Sequence, residues 1–364
     1  FGRAEVAEWQ THTTQNRTGN HVGSSPTFGT IMREQDFEDQ PRGLFLWEEQ
    51  MDPITHAVVG IGLAVITGEP LTLANPALIG CLTGAVIPDS DIVVQFAGHE
   101  KYLKNHRGIS HSLLLAPLYT AAITGALMLF YGHFDVKRVL AMTLLGILSH
   151  LTLDLTNPYG ASIFSPFSQK KITFDLLLVF DPVIALLFGL LILPYTRALL
   201  TPATLVFLLV AYIGFRYLLK NHGMGVLLEH VLERYEIKRL RLLPSMTGFF
   251  KWQFVMETTK GNVVGEVHGF RKKVRIVDEL EKIDDSLMEM AMATPVAEYF
   301  KEFTPYFHIK CERVDDHIQF RYIDLRYFVT KEYLHNGTAL VSEEEGFLNG
   351  QFHPYHLSRS IEIL

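Results

Sequence analysis

A chain of 364 residues that is 48% hydrophobic, with a mean hydropathy of +0.17, carries more apolar length than an ordinary soluble enzyme needs for its core. Its formal net charge of -7 and pI near 6.1 give no general basic field and exclude wholesale nucleic-acid binding. The two cysteines, Cys81 in an apolar run and Cys311 far along in a polar region, exclude a disulfide framework and a thiolate zinc site.

Residues 1–50 are rich in Gln, Thr, Asn, Gly and Ser and show neither an apolar signal region nor any periodicity. We expect them to be a disordered extension. Gly23-Ser24-Ser25-Pro26-Thr27 reverse-translates naturally into the look of a tRNA T-arm, so we also expect the natural protein to start at Met51. From Met51 the character changes. Ile54 to Ile66 and Pro76 to Ile87 are short apolar stretches separated by the breaker Gly68-Glu69-Pro70, which predicts a helical hairpin. Ser112 to Tyr131, Val139 to Leu155, Leu176 to Leu193 and Leu205 to Leu219 approach the ~17–25 residues that cross a ~30 Å hydrocarbon core. Each is a predicted transmembrane helix.

Basic residues set the expected orientation. Lys101, Lys104, Arg107, Lys170, Lys171, Arg216 and Lys220 fall at one face and Lys137, Arg138 and Arg197 at the other, so the richer face is expected to be cytoplasmic. Beyond Lys220, the amphipathic stretch Val226 to Leu242 and the alternations at Trp252–Glu257, Val263–Val267 and Ile318–Ile323 predict a smaller domain on that face. The expected fold class is therefore an α-helical multi-span membrane domain over residues 51–220, followed by a smaller α+β soluble domain over 221–364.

The chemistry-bearing residues lie in the membrane half. Thr55-His56, Pro88-Asp89-Ser90-Asp91, His106-Arg107-Gly108-Ile109-Ser110-His111 and Ser149-His150 with Asp154 all map to one face under this topology. His150 and Asp154 are four apart and so share one side of a helix. Taken singly, His56 reads as an interfacial residue, Asp89 as a helix terminator and Arg107 with Asp91 as an ion pair. Together, four histidines and three aspartates at one face read as metal ligands, because an ionisable group in an apolar context is costly unless partnered. Imidazole and carboxylate without thiolate suit zinc first, or manganese or iron, in a site open to chemistry. Asp181, beside Pro182 in a predicted span, reads either as support for that site or as a group bonding around the proline-broken turn.

Met51-Asp-Pro-Ile-Thr-His56, Pro88-Asp-Ser-Asp91, His106-Arg-Gly-Ile-Ser-His111-Ser and His150-Leu-Thr-Leu-Asp154 resemble, in order, the signature blocks of the YdjM/YbcI-type family of membrane-bound, metal-dependent hydrolases. His150-xxx-Asp154-xx-Asn157-Pro158 is more distantly similar to a block of zinc-dependent phospholipase C and related single-strand nucleases. The resemblance implies a bacterial inner-membrane protein. It agrees with His56, Asp89, Asp91, His106, His111, His150 and Asp154 as metal ligands and adds a hydrolytic role on a lipid or other phosphoester.

In that reading Arg107 steadies developing negative charge and Asp89 or Asp91, whichever is not a ligand, acts as base. The alternative is a non-enzymatic metal-binding membrane protein with a structural, transport or envelope-maintenance role. Expected partners are the bilayer and the phosphoester, with no nucleic acid.

Overall fold

The computed structural model describes residues 42–90, 107–197, 200–329, 332–354 and 360–363. Most of the N-terminal extension lies outside the described residues, and so do Asp91 and His106.

Helix α1 spans Arg42–Ile66 and α2 spans Pro76–Val86. The second starts where Asn75 Oδ1 accepts the Ala77 amide at 3.0 Å and Pro76 occupies the first turn, where its missing N–H costs nothing. A short 3-10 turn at Ile109–His111 precedes α3 (Ala116–Tyr131) and α4 (Val136–Thr156), the latter capped by Asp135. Then come α5 (Pro182–Ile192), α6 (Pro194–Arg197) and the long α7 (Pro202–Val231).

The expectation of a multi-span helical membrane domain is corrected here. Among the described residues, only α4, at 21 residues, and α7, at 30, are long and apolar enough to cross a bilayer. The run Ser112 to Tyr131 yields a helix of 16 residues, because Leu113-Leu114-Leu115 is spent in a turn. At 1.5 Å per residue it rises roughly 24 Å, short of the core. The run Leu176 to Leu193 yields only 11 helical residues. Pro182 biases Asp181 away from helix, and Pro194 stops the helix at its far end. Asp181 is the cap: its Oδ1 accepts the amides of Val183 at 3.0 Å and Ile184 at 3.2 Å, and its Oδ2 accepts the Tyr212 hydroxyl at 2.6 Å.

Helices α2 and α4 meet backbone to backbone. A Cβ on Gly146 would lie 2.1 Å from the Cys81 carbonyl oxygen, and one on Gly84 would lie 2.3 Å from that of Thr143. Only hydrogen fits at these points, which is how small residues at four-residue spacing, here Gly80 and Gly84, let helices approach closely. Away from the seam, large apolar side chains face outward: Leu129 on α3 is 87% exposed and Phe207 on α7 is 70% exposed. Water penalises such surfaces and lipid does not.

The last turns of α7 change solvent. Leu219, Val226, Leu227 and Val231 pack with Leu242, Trp252, Phe254 and Val267 of a four-stranded antiparallel sheet, β1 (Ile237–Pro244), β2 (Lys251–Thr258), β3 (Gly261–His268) and β4 (Lys273–Glu281), ordered as in the chain. Helices α8 (Asp285–Met292) and α9 (Pro295–Phe303) follow. They cover a second antiparallel sheet in the order β11-β10-β9-β6-β5, built from β5 (Phe307–Val314), β6 (His317–Asp324), β9 (His335–Ser342), β10 (Gly346–Pro354) and β11 (Ile361–Ile363). A small pair, β7 (Phe328–Val329) and β8 (Glu332–Tyr333), lies between β6 and β9 in the chain. In place of a generic α+β domain, the C-terminal part is thus two antiparallel sheets with short helices. Arg241 on β1 ties this part to the loop after α4, donating to Asp175 Oδ2 at 2.7 Å and to the Pro158 carbonyl at 3.3 Å.

Candidate metal centre

Five side chains from four separate segments meet at the end of α4. His150 and Asp154 extend from its last two turns, His56 from α1, Asp89 from the turn that follows α2, and His111 from the 3-10 turn before α3. His150 Nε2 is 3.0 Å from His111 Nε2, 3.4 Å from Asp154 Oδ2 and 3.5 Å from Asp89 Oδ1. His111 Nε2 is 3.1 Å from Asp154 Oδ2 and 3.3 Å from Asp89 Oδ1, and His56 Nε2 is 3.6 Å from Asp154 Oδ1. The His56 and His150 rings stack with centroids 3.8 Å apart.

These spacings fit a shared cation. Donors bound at ~2.0–2.2 Å sit roughly 2.8–3.6 Å apart on an octahedral or tetrahedral shell. Among the described residues, neither Asp89 oxygen nor Asp154 Oδ2 completes a hydrogen bond, so they face the imidazole nitrogens without N–H directionality. Among the described residues, His56-Asp89-His150 and His111-His150-Asp154 are triads that could hold a metal ion, with donor atoms within 4.8 Å of one another. All five residues are buried, His111, His150 and Asp154 completely. Buried carboxylates need a compensating positive charge. Burial alone would depress the His111 imidazole, but the carboxylates of Asp154 and Asp89 outweigh it and lift it to about 9. Burial likewise opposes ionisation of Asp89, yet His150 and His111 hold it below the ordinary carboxylate range. The centre therefore attracts a cation, either a proton or a metal competing with it.

The supporting groups follow the usual pattern for ligating histidines. His150 Nδ1 lies 2.8 Å from the Ala85 carbonyl, which can only accept, so Nδ1 carries the hydrogen and the Nε2 lone pair points inward. That contact exists because the glycine seam brings α2 against α4. His111 Nδ1 lies 2.9 Å from Ser110 Oγ. Asn157 Nδ2 donates to Asp154 Oδ1 at 3.3 Å, while its own Oδ1 accepts from Arg107 Nη1 at 2.9 Å.

Arg107 is buried and its Nη2 lies 3.5 Å from Asp154 Oδ1. Its φ of 59° puts a non-glycine residue in the left-handed region, a local strain that the surrounding contacts must hold. The guanidinium lies 5.6 Å from the Tyr159 ring centroid, and Arg326 of the C-terminal part approaches the same ring at 4.7 Å.

Of the residues singled out from the sequence, His56, Asp89, Arg107, His111, His150 and Asp154 come together. Asp91 and His106 lie outside the described residues. Sequence reasoning missed Ala85, whose carbonyl has no sequence signature, and gave no role to Ser110 or Asn157, although both lie in the blocks quoted above. The Asn157-Pro158 pair closing α4 was the available signal for the last.

Residues 51–223 match the family described as YdjM inner membrane protein. Residues 286–361 match the family described as the YfhP C-terminal alpha/beta plait domain. The chain is similar to the uncharacterized protein YfhP of Bacillus subtilis (strain 168), with 29% identity over 289 residues covering 76% of this chain and 87% of that protein. No solved structure matches. The inner-membrane family and the two apolar helices point to a membrane protein. The YdjM match ends within α7, so the helix that leaves the apolar half also opens the C-terminal part.

Proposed function

We propose that this protein is a membrane-bound, metal-dependent hydrolase acting on a phosphoester, with a lipid or lipid-linked phosphoester at the bilayer face as the best fit. The observation that carries this reading is the convergence of three imidazoles, two carboxylates and one guanidinium at the end of an apolar helix. His56, Asp89, His111, His150 and Asp154 would hold the metal. Zinc suits this donor set best, with manganese or iron as alternatives. When bound, such an ion polarises a phosphoryl oxygen and makes water a usable nucleophile near neutral pH.

The chain's own groups supply the rest. Ala85 fixes the ring orientation of His150, and Asn157 orients Asp154. Arg107 offers a planar fork of donors for the developing negative charge of a phosphoryl group. Whichever of Asp89 and Asp91 does not bind the metal would take up the proton of the attacking water. Lys170, Lys171, Arg216 and Lys220 on the site's side of α4 and α7, against Lys137 and Arg138 at the other end of α4, favour a cytoplasmic site.

One observation favours the non-enzymatic reading. The five ligating side chains and Arg107 are all buried, as expected of a metal that holds helices together. A single assay separates the two. Full-length protein in detergent is given a chromogenic aryl phosphodiester and a phospholipid in mixed micelles, before and after chelation and metal return. The hydrolase reading predicts turnover lost on chelation and restored by zinc or manganese. It also predicts that Arg107→Lys keeps its metal but turns over about 10²-fold more slowly. Tightly bound metal with no turnover on either probe would overturn the hydrolase in favour of a structural metal.

A further inference from the structure

Three aromatic side chains that the metal centre does not use cluster beside α7, and the backbone of a fourth aromatic residue, Phe174, is tied to the same helix. Within its apolar stripe this helix bears Arg216 and Lys220, one turn apart. Arg216 Nε donates to the Leu176 carbonyl at 3.0 Å and its Nη1 to the Phe249 carbonyl at 2.6 Å. Lys220 Nζ donates to the Phe174 carbonyl at 2.8 Å. The loop after α4 and the β1–β2 turn are thereby tied to adjacent turns of α7.

Phe215, Phe250 and Phe270 form one cluster, with Phe250 and Phe270 centroids 5.1 Å apart and each 6.4 Å from Phe215. All three are exposed, as is Phe174, although their rings are in contact and their element is packed. Gly269 N donates to the Phe250 carbonyl at 2.9 Å, so the β3–β4 turn is held in place as it presents Phe270. That turn continues as Arg271-Lys272-Lys273, all exposed, with no acidic residue among them. The exposed stripe of α7 runs through Phe207 and Val210 up to Phe215 of the cluster, so the cluster prolongs the face already argued to meet lipid.

Rings at the end of an apolar stripe, rimmed by lysine and arginine, match the chemistry of the membrane–water boundary, where aromatics sit at headgroup level and basic residues meet anionic lipid. We propose that Phe174, Phe215, Phe250 and Phe270 with Arg271, Lys272 and Lys273 form an interfacial belt that binds anionic lipid headgroups. The belt holds the first sheet of the C-terminal part against the bilayer. This rests on the reading of α7 as a membrane helix and is independent of any hydrolytic activity. It adds a lipid-binding role for the β3–β4 turn.

The test uses the full chain in lipid nanodiscs, with Phe270→Trp and, separately, Val210→Trp, each measured as the increment over the parent chain. Lipids brominated near the headgroup or near the chain ends serve as quenchers. Trp at 270 is expected to be quenched roughly twofold more by shallow than by deep bromines, as for an interfacial aromatic. Replacing part of the neutral lipid with brominated phosphatidylglycerol should raise that quenching, and Arg271→Ser/Lys272→Ser/Lys273→Ser should remove the rise. If Trp at 210 is quenched but Trp at 270 is not, the belt is wrong while the membrane helix stands. If neither is quenched, the membrane reading itself fails. A blue-shifted Trp at 270 with no quenching would mean that protein, such as a second copy of the chain, covers the turn, which also overturns the proposal. Quenching indifferent to headgroup charge would overturn the anionic-lipid assignment.

Discussion

Gly146→Ala should weaken metal binding at the centre without replacing any of its side chains. A Cβ at that position would lie 2.1 Å from the Cys81 carbonyl oxygen and 2.8 Å from the Ala85 amide nitrogen, against 3.4 Å for ordinary contact. Both neighbours are backbone, so no side chain can swing away and α4 must retreat from α2 by about 1.3 Å. Overpacking of this kind costs about 1–3 kcal/mol. Its effect on the site is larger than that figure suggests. The 2.8 Å contact between His150 Nδ1 and the Ala85 carbonyl spans the same seam, and the same retreat takes it out of hydrogen-bond range. His150 then loses its fixed ring orientation, and Asp89, carried just beyond α2, moves away from His150 and His111. Ligand spacing tolerates only about 0.2 Å, and losing a supporting contact typically weakens metal binding about 10–100-fold. Titration of the detergent-purified variant with zinc against a competing chelator reads this directly. Gly125→Ala on α3 is the control, since nothing lies within 4 Å of its added Cβ. Wild-type zinc affinity in a folded Gly146→Ala protein would refute the claim that the glycine seam builds the site.

Two further outcomes follow from the same geometry. Asp181→Ala removes the cap of α5 and the acceptor of the Tyr212 hydroxyl, so thermal unfolding should report a loss of about 1–2 kcal/mol with metal content unchanged. Loss of metal would instead place Asp181 in support of the centre. In the second sheet, burial together with Lys310 holds His308 down to about 4, and burial holds His335 down to about 4. Both stay neutral in the folded state while the unfolded chain protonates near 6.5. The stability they contribute is therefore complete above about pH 6.5 and drains as pH falls toward 4, by about 1.4 kcal/mol per pH unit per histidine. Urea midpoints for the C-terminal part should fall across the upper half of that window, and His308→Gln/His335→Gln should flatten the slope. A midpoint that rises on acidification would contradict the assignment.

Much of the candidate centre was legible because its side chains obey simple rules. His150 and Asp154 lie one helical turn apart, and charged groups amid apolar residues demand partners. Strand-like apolar runs likewise located β2, β3 and β6, with β6 alternating along its first half and β2 buried on both faces between two clusters. What escaped was information carried by backbone. An apolar run does not reveal that Pro182 and Asp181 start a helix late, or that Leu113 to Leu115 are spent in a turn, so two helices were overestimated and are too short to span, while the other two run longer than predicted. The glycine seam was hidden for a related reason: Gly80 and Gly84 lie on α2 and Gly146 on α4, and only the fold shows that they oppose one another. The Ala85 carbonyl was beyond reach altogether, since any residue offers one. The aromatic belt draws on α7, the β1–β2 turn, the β3–β4 turn and the loop after α4, segments whose proximity no local pattern encodes.

The central claim is that the buried His/Asp cluster is a metal site, and metal stoichiometry tests it most directly. Elemental analysis of the full chain, purified in detergent and loaded with zinc or manganese before removal of excess, should give at least one tightly held ion per chain. His150→Ala and Asp154→Ala should each lose most of it while remaining folded, because alanine suits both an apolar setting and a helix. His222→Ala, at an exposed position on α7, should retain it. Full metal content in folded His150→Ala and Asp154→Ala proteins would contradict the account.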